Sequence, residues 1–354
     1  MENIMLGWIA LLLLFFVLVL IRNKRPGSNM SEKKAISISV VVPFRNEYDN
    51  LKACLESLFI ENIQTNDEVI FVNDHSEDRG GEFLKNNYEN IVLLELKDNE
   101  SGKKSALSKG IDYAKNDWIV TLDADCRVSP RYLNTLRSAM DSSADLLLAR
   151  VFPNRGNNFT LLLLEQFEYV LLSTLSLFSS QIKLPLLASG AALAFRKSVW
   201  NKVNKYNNHL NVKSGDDIYL LRDFFLNKAS IQFVEDKEAI VLTNASGDFN
   251  SWLRQKSRWA GKRRIYPDKK RKALGLFFLI QLFIPAIFIL FHLKLFLLFI
   301  VVEYILIRLL LRFPELNNKY LLLLWIPVRI IYPFLVVLIM FNSRKKLNWK
   351  GRTI

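Results

Sequence analysis

Three short stretches of this chain bring carboxylates or lysines together at spacings that suit phosphate chemistry. In "VTLDADCRVSP", Asp123 and Asp125 stand one residue apart where an apolar run ends. Hard carboxylate oxygens at such a place suit Mg2+ or Mn2+ bridging a diphosphate. A turn or a helix cap is the plainer use of the same two residues. In "GKKSALSKG", Lys103 and Lys104 lie near a helix start. A lysine there can meet a phosphate, or the two can simply form a solvated pair. A P-loop is excluded, because Lys97 stands where its first glycine would be. In "SGDDIYLL", Asp216 and Asp217 precede an apolar stretch. They can serve as favourable charges at a helix N-terminus or supply a general base for a hydroxyl. A fourth stretch, "LRQKSRWAGKRR", packs six basic side chains beside Trp252 and Trp259.

Other chemistries find less support. The two cysteines, Cys54 and Cys126, form no CxxC pair and read as small core or near-surface thiols. The histidines, His75, His209 and His292, are scattered, which argues against a zinc site.

The elements that must hold these residues alternate in type. "ISISVVVPF" and "DEVIFVNDHS" read as buried strands, with the helical spacing of "EYDNLKACLESLF" between them. "SALSKGIDYAK" follows as a helix and "DWIVTLDAD" as a further strand. Strands alternating with helices predict a parallel sheet with its functional groups at the carboxyl ends of the strands. The polar clusters fall there, after Val42, Val72 and Leu122.

The charge distribution narrows the partners. The chain has 354 residues and a net charge of +14, yet residues 36–250 hold 23 Lys/Arg against 29 Asp/Glu. The basic excess therefore lies in the flanks, beside apolar runs, as at the cytoplasmic ends of membrane segments. A nucleic-acid partner is not expected, since it would call for basic residues over the folded body. Residues 4–21 are uninterruptedly apolar and are followed by Arg22, Lys24 and Arg25. That predicts an uncleaved transmembrane anchor over 1–22, with a linker over 23–35. Residues 159–178 are apolar too, but Glu165, Gln166 and Glu168 fall in the middle. The cost of inserting those acids favours an amphipathic helix on the membrane surface or lining an acceptor pocket. After a basic juxtamembrane segment over 266–272, residues 273–341 predict about three membrane segments, near 274–291, 295–311 and 320–341. The basic tail 342–354 should be cytoplasmic, whereas three crossings would put it outside; the two criteria disagree.

Taken together and in order, "VVPFRNE", "FVNDHSED", "GKKSAL", "DAD", "SGAALAFRKS", "GDD" and "QKSRW" resemble a membrane-bound family 2 glycosyltransferase. That group includes cellulose-, chitin- and hyaluronan-synthase-like enzymes and ceramide glucosyltransferases, and the resemblance covers about residues 36–265. It implies an α/β fold of the GT-A type, Rossmann-like with a mostly parallel sheet, and sugar transfer with inversion from a nucleotide-sugar. It assigns Pro43, Arg45 and Glu47 to the nucleoside pocket, Asp74 to the base and Lys103 to the diphosphate. Asp123 and Asp125 would hold the nucleotide and a divalent cation, Mg2+ or Mn2+. Asp216–Asp217 stands where the family has its "ED" pair, with Asp217 as the base. Gln255, Arg258 and Trp259 match Q-x-x-R-W, which closes over the diphosphate and the acceptor entrance; Trp252 falls outside that pattern and reads as an interfacial or packing residue. Two departures stand out. "NDHS" replaces the usual "DDGS", putting Asn73 for an acid and His75 for a glycine, and Asp216 shortens one acid of the pair.

The expected partners are a nucleotide-sugar, UDP-linked, a lipid or lipid-linked acceptor, and the bilayer. The expected location is a bacterial inner membrane with the catalytic domain in the cytoplasm. A processive polysaccharide synthase and a catalytically silent nucleotide-sugar-binding scaffold remain as alternatives. Three C-terminal spans are slim for a polymer channel, and none of Asp123, Asp125 and Asp217 is missing, as a silent subunit would allow.

Overall fold

The computed structural model describes residue 7 and residues 36–60, 62–140, 143–203, 206, 215–261, 269–291, 293–311, 319–343, 348–349 and 352–353. Apart from Gly7, the expected N-terminal anchor over 1–22 and the linker over 23–35 lie outside these residues. The chain divides into two compact units, neither of them continuous in sequence. A sheet unit takes Asn29–Arg155, Leu187–Ala245 and Lys346–Ile354, and a helical unit takes Met1–Ser28, Gly156–Leu186 and Ser246–Lys345. The stretch 36–265 is thus shared between the two.

The sheet unit is built on β1 (Ile38–Phe44), β2 (Glu68–Asn73), β3 (Val92–Glu95), β4 (Trp118–Thr121), β5 (Leu146–Leu148), β7 (Leu193–Arg196) and β8 (Ile231–Phe233). Their order across the sheet is β3-β2-β1-β4-β7-β5-β8. The first four strands are parallel, as the alternating pattern predicts, with Val41 opposite Ile70 on one side and Thr121 on the other. Strand β7 runs antiparallel to both neighbours, and β5 and β8 are again parallel. All residues of β1 and β4 are buried, as expected for strands covered on both faces. A second, two-stranded sheet pairs β6 (Val151–Arg155) with β9 (Val241–Asn244). The core runs from Val40 and Val42 through Leu51, Cys54 and Leu55 of the helix Tyr48–Phe59 to Leu133 and Leu136 of the helix Tyr132–Ala139. Strand order reverses between β1 and β4. In an open α/β sheet such a switch opens a crevice at the carboxyl ends of the strands, where ligands bind.

In the helical unit, Phe159–Gln181 forms one helix of 23 residues, capped by the Asn158 side chain on Leu161 N–H at 3.0 Å. It is mostly buried within the unit, whereas its central acids predict an amphipathic helix on the membrane surface or lining an acceptor pocket. Those acids are paired inside the unit instead: Glu165 accepts from Ser246 N–H at 2.8 Å, and Glu168 binds three donors described below. Phe167 of this helix packs edge-on against Trp325 and Tyr332. Three further helices, Lys269–Phe291, Leu293–Leu311 and Lys319–Asn342, fall where the apolar segments predict them. Arg329 ties them together: it meets Glu303 at 3.0 Å and donates to the carbonyls of Leu282 and Gln281. Among the described residues, two helices are long and apolar enough to cross a bilayer, Phe159–Gln181 and Trp325–Asn342.

Candidate active site

The sheet unit gathers its chemistry-bearing residues in the loops that follow β1, β2 and β4. The first two loops are laced together. Asp74 N–H donates to the Phe44 carbonyl at 2.9 Å, and Asn46 N–H to Ser76 Oγ at 3.1 Å. Glu77 N–H donates to Asn46 Oδ1 and Tyr48 N–H to Asp78 Oδ2, both at 2.8 Å. Arg45 joins the same lacing by donating to the Asp74 carbonyl at 3.2 Å. Glu47 turns towards its own helix and accepts from Asn50 at 2.7 Å, and Pro43 is buried within β1 opposite Val72. Both departures from "DDGS" have a visible structural use. The Asn73 side chain accepts from Ser76 N–H at 2.9 Å and so builds the turn. His75 sits at φ 55°, in the left-handed region that favours glycine.

From Asp74 a chain of contacts runs to the other acids. Asp74 is buried, and its Oδ2 accepts from Gly102 N–H at 3.0 Å, which fixes the entry to the helix Lys103–Tyr113. The Lys103 ammonium then lies 2.7 Å from Asp123 Oδ1 and 3.1 Å from Asp216 Oδ2. Burial works against its charge, but Asp123 and then Asp216 outweigh it and hold the lysine well above its usual range. Lys104 is buried as well, its ammonium 4.3 Å from the centre of the Tyr219 ring, so the two lysines are not a solvated pair.

Asp216 reaches Lys103 because the helix Asp216–Leu226 starts beside the strand ends. Gly215, at φ 86°, turns the chain into it. Tyr206 Oη donates to the Asp216 carbonyl at 2.9 Å, and burial, followed by Asp216, pushes that phenol well above its usual range. Asp217 is less buried, and its Oδ1 accepts from Ile218 N–H at 2.8 Å. Asp125 is half-buried, with Oδ1 3.5 Å from the Cys126 thiol.

One participant escaped the sequence reading, although "SGAALAFRKS" contained it. A Cβ on Gly190 would stand 2.4 Å from Asp216 Oδ2 and 3.0 Å from Lys103 Nζ, so only glycine leaves room for this pair. Thr121 Oγ1, at the end of β4, donates to the Gly190 carbonyl at 2.7 Å and holds that backbone in place.

Gln255, Arg258 and Trp259 belong to the helical unit, on the helix Phe249–Gly261. Gln255 and Arg258 are half-buried and Trp259 is exposed, whereas Trp252 is fully buried, a packing residue as expected.

Residues 39–201 match the family model described as glycosyl transferase family 2. The chain is 25% identical over 221 residues to a poly(ribitol-phosphate) beta-glucosyltransferase of Bacillus spizizenii, covering 61% of this chain and 34% of that one. It is 32% identical over 124 residues to an undecaprenyl-phosphate 4-deoxy-4-formamido-L-arabinose transferase of Edwardsiella ictaluri, covering 33% and 38%. The chain thus spans little more than a third of the length of these two curated relatives. Its fold is similar to that of a mannosyltransferase from Pyrobaculum calidifontis solved with GDP-Man and Mn2+, with a TM-score of 0.61 at 14% identity over 94% of this chain and 93% of the other. Residues 39–201 therefore match a glycosyl transferase family 2 domain, carried on an α/β fold of the GT-A type.

Proposed function

We propose that the chain is a membrane-bound, inverting glycosyltransferase that moves a sugar from a UDP-sugar to a hydroxyl of a lipid-like or lipid-linked acceptor in cell-envelope synthesis. The observation that carries this reading is the Lys103 ammonium held between Asp123 and Asp216 at the strand ends. Two helices long and apolar enough to cross a bilayer, and relatives named for an undecaprenyl-phosphate and a poly(ribitol-phosphate) acceptor, support the membrane setting. The basic flanks of the apolar segments support a cytoplasmic catalytic domain at a bacterial inner membrane.

The donor set fits a divalent cation shared with substrate. Asp123 and Asp125, two hard carboxylates one residue apart after β4, would hold Mg2+ or Mn2+. Bound there, the cation would neutralise charge on the departing diphosphate.

The chain's own groups divide the remaining work. Pro43, Arg45, Glu47 and Asp74 form the nucleoside side. Lys103 has three N–H donors; two face Asp123 and Asp216, and the third serves a diphosphate oxygen as negative charge grows. The acceptor oxygen bonds to the anomeric carbon from the face opposite the departing diphosphate, which keeps the electron pair of the broken bond. The acceptor proton passes to the Asp217 carboxylate. Asp216 is less suited to that role, because its Oδ2 already lies 3.1 Å from the Lys103 ammonium. Gln255, Arg258 and Trp259 serve the acceptor entrance.

Asp217→Asn is expected to abolish transfer while leaving nucleotide-sugar affinity nearly intact, whereas Asp216→Asn should weaken donor binding through Lys103. Donor titration calorimetry and a transfer assay on membranes, with lipid products weighed by mass spectrometry, separate the two. Undiminished turnover in Asp217→Asn would remove the base assignment. A donor panel that gives no product with Mn2+ or Mg2+ present would remove the reaction itself.

A further inference from the structure

The helix that carries Gln255, Arg258 and Trp259 is anchored from beneath by one carboxylate. Glu168, in the middle of the helix Phe159–Gln181, is 1% exposed. Its Oε2 accepts from Trp252 Nε1 at 3.1 Å and meets the Lys256 ammonium at 2.7 Å, and its Oε1 accepts from Tyr332 Oη at 3.1 Å. A buried carboxylate is tolerated when its oxygens are met by donors and its charge by a cation, and Glu168 has both. Trp252 and Lys256 are four residues apart, so both point from one face of the helix towards Glu168.

Lys256 has a second contact. Its ammonium lies 4.4 Å from the centre of the Trp259 ring, within range of a cation–π attraction. Trp259 is 40% exposed, so an indole that solvent would leave free to rotate rests instead against a charge clamped from the other side. Glu168 itself does not touch that ring. Its reach to Trp259 runs entirely through Lys256.

We propose that Glu168 is a positioning residue for transfer: it holds the Lys256 ammonium against the indole of Trp259 and so sets the orientation of that ring. The inference rests on the assignment of Trp259 to the acceptor entrance. It adds that the orientation of the ring, beyond its presence, limits the rate.

The test is a set of variants in the full-length chain, assayed in membranes for transfer, nucleotide-sugar affinity and thermal stability. Glu168→Gln should lower kcat about 10- to 30-fold, with donor affinity unchanged, and should lower thermal stability because Lys256 loses its counter-charge. Adding Lys256→Met to Glu168→Gln removes the orphaned charge. The double variant should regain stability but not transfer, since Trp259 still lacks its cation. Lys256→Arg, which keeps a cation over the ring, should recover most of the transfer that Lys256→Met loses. If transfer returns together with stability in the double variant, Glu168 is only a structural partner and the proposal is overturned. If Trp259→Ala transfers at the wild-type rate, the assignment of Trp259 fails instead, which is a separate and recognisable outcome.

Discussion

Replacing Gly190 by alanine is expected to separate Lys103 from Asp216 with both residues kept. The new methyl group would start 2.4 Å from Asp216 Oδ2, where ordinary contact begins near 3.4 Å. The carboxylate must therefore retreat by about 1 Å. Its main chain cannot follow freely, because Tyr206 holds the Asp216 carbonyl at 2.9 Å and Thr121 holds that of Gly190 at 2.7 Å. The Lys103–Asp216 ion pair, 3.1 Å apart, then lengthens to about 4 Å. Weakening a close, partly buried pair of opposite charges costs about 1.5–3 kcal/mol, which corresponds to about a 10- to 100-fold loss. We expect that loss in nucleotide-sugar affinity and in kcat/KM together, because Lys103 is left with Asp123 alone and shifts from its place. Calorimetric donor titration and initial transfer rates measure both quantities, and a melting curve of the same preparation checks that the fold survives. Wild-type affinity and rate in a folded Gly190→Ala variant would refute the coupling of Lys103 to Asp216.

Other perturbations test the frame around the site. Arg329→Met should destabilise the helical unit by about 3–5 kcal/mol, since Glu303 would be left buried without its partner; Arg329→Met with Glu303→Leu should recover most of this in a thermal melt in detergent, and equal melts for both variants would contradict it. Cys54 and Cys126 should resist a thiol reagent at pH 8 until the protein unfolds. Burial, followed by the charge of Asp125, pushes both thiols above their usual range, so the reactive thiolate is scarce as well as inaccessible. Rapid labelling of the native protein would contradict this.

The parallel core was readable because its strands are short apolar runs rich in β-branched residues that end in polar clusters, as in "ISISVVVPF" and "DWIVTLDAD". Strand β7 was not, since "LAFR" has four residues and no alternation, and its antiparallel direction follows from neighbours far along the chain. The pairing of the acids in the helix Phe159–Gln181 was hidden for a related reason. These acids look costly in isolation, and their partners, Ser246, Trp252, Lys256 and Tyr332, lie some 80 to 164 residues away. In the acid pair, composition placed two carboxylates at a helix start but not which one would meet Lys103. Successive side chains on a helix point about 100° apart, so that choice rests on the left-handed turn at Gly215. The role of Gly190 is hidden in the sequence, because the need for a missing Cβ becomes visible only with Asp216 and Lys103 beside it.

The lacing between the loops after β1 and β2 also governs how this region breathes. The amides of Asn46, Tyr48, Asp74 and Glu77 all donate across from one loop to the other, so neither loop can open without releasing the other. Hydrogen exchange at these four positions becomes a single shared event. If the nucleotide binds there as proposed, it would meet a floor already folded, and little of its binding energy would be diverted into ordering the protein.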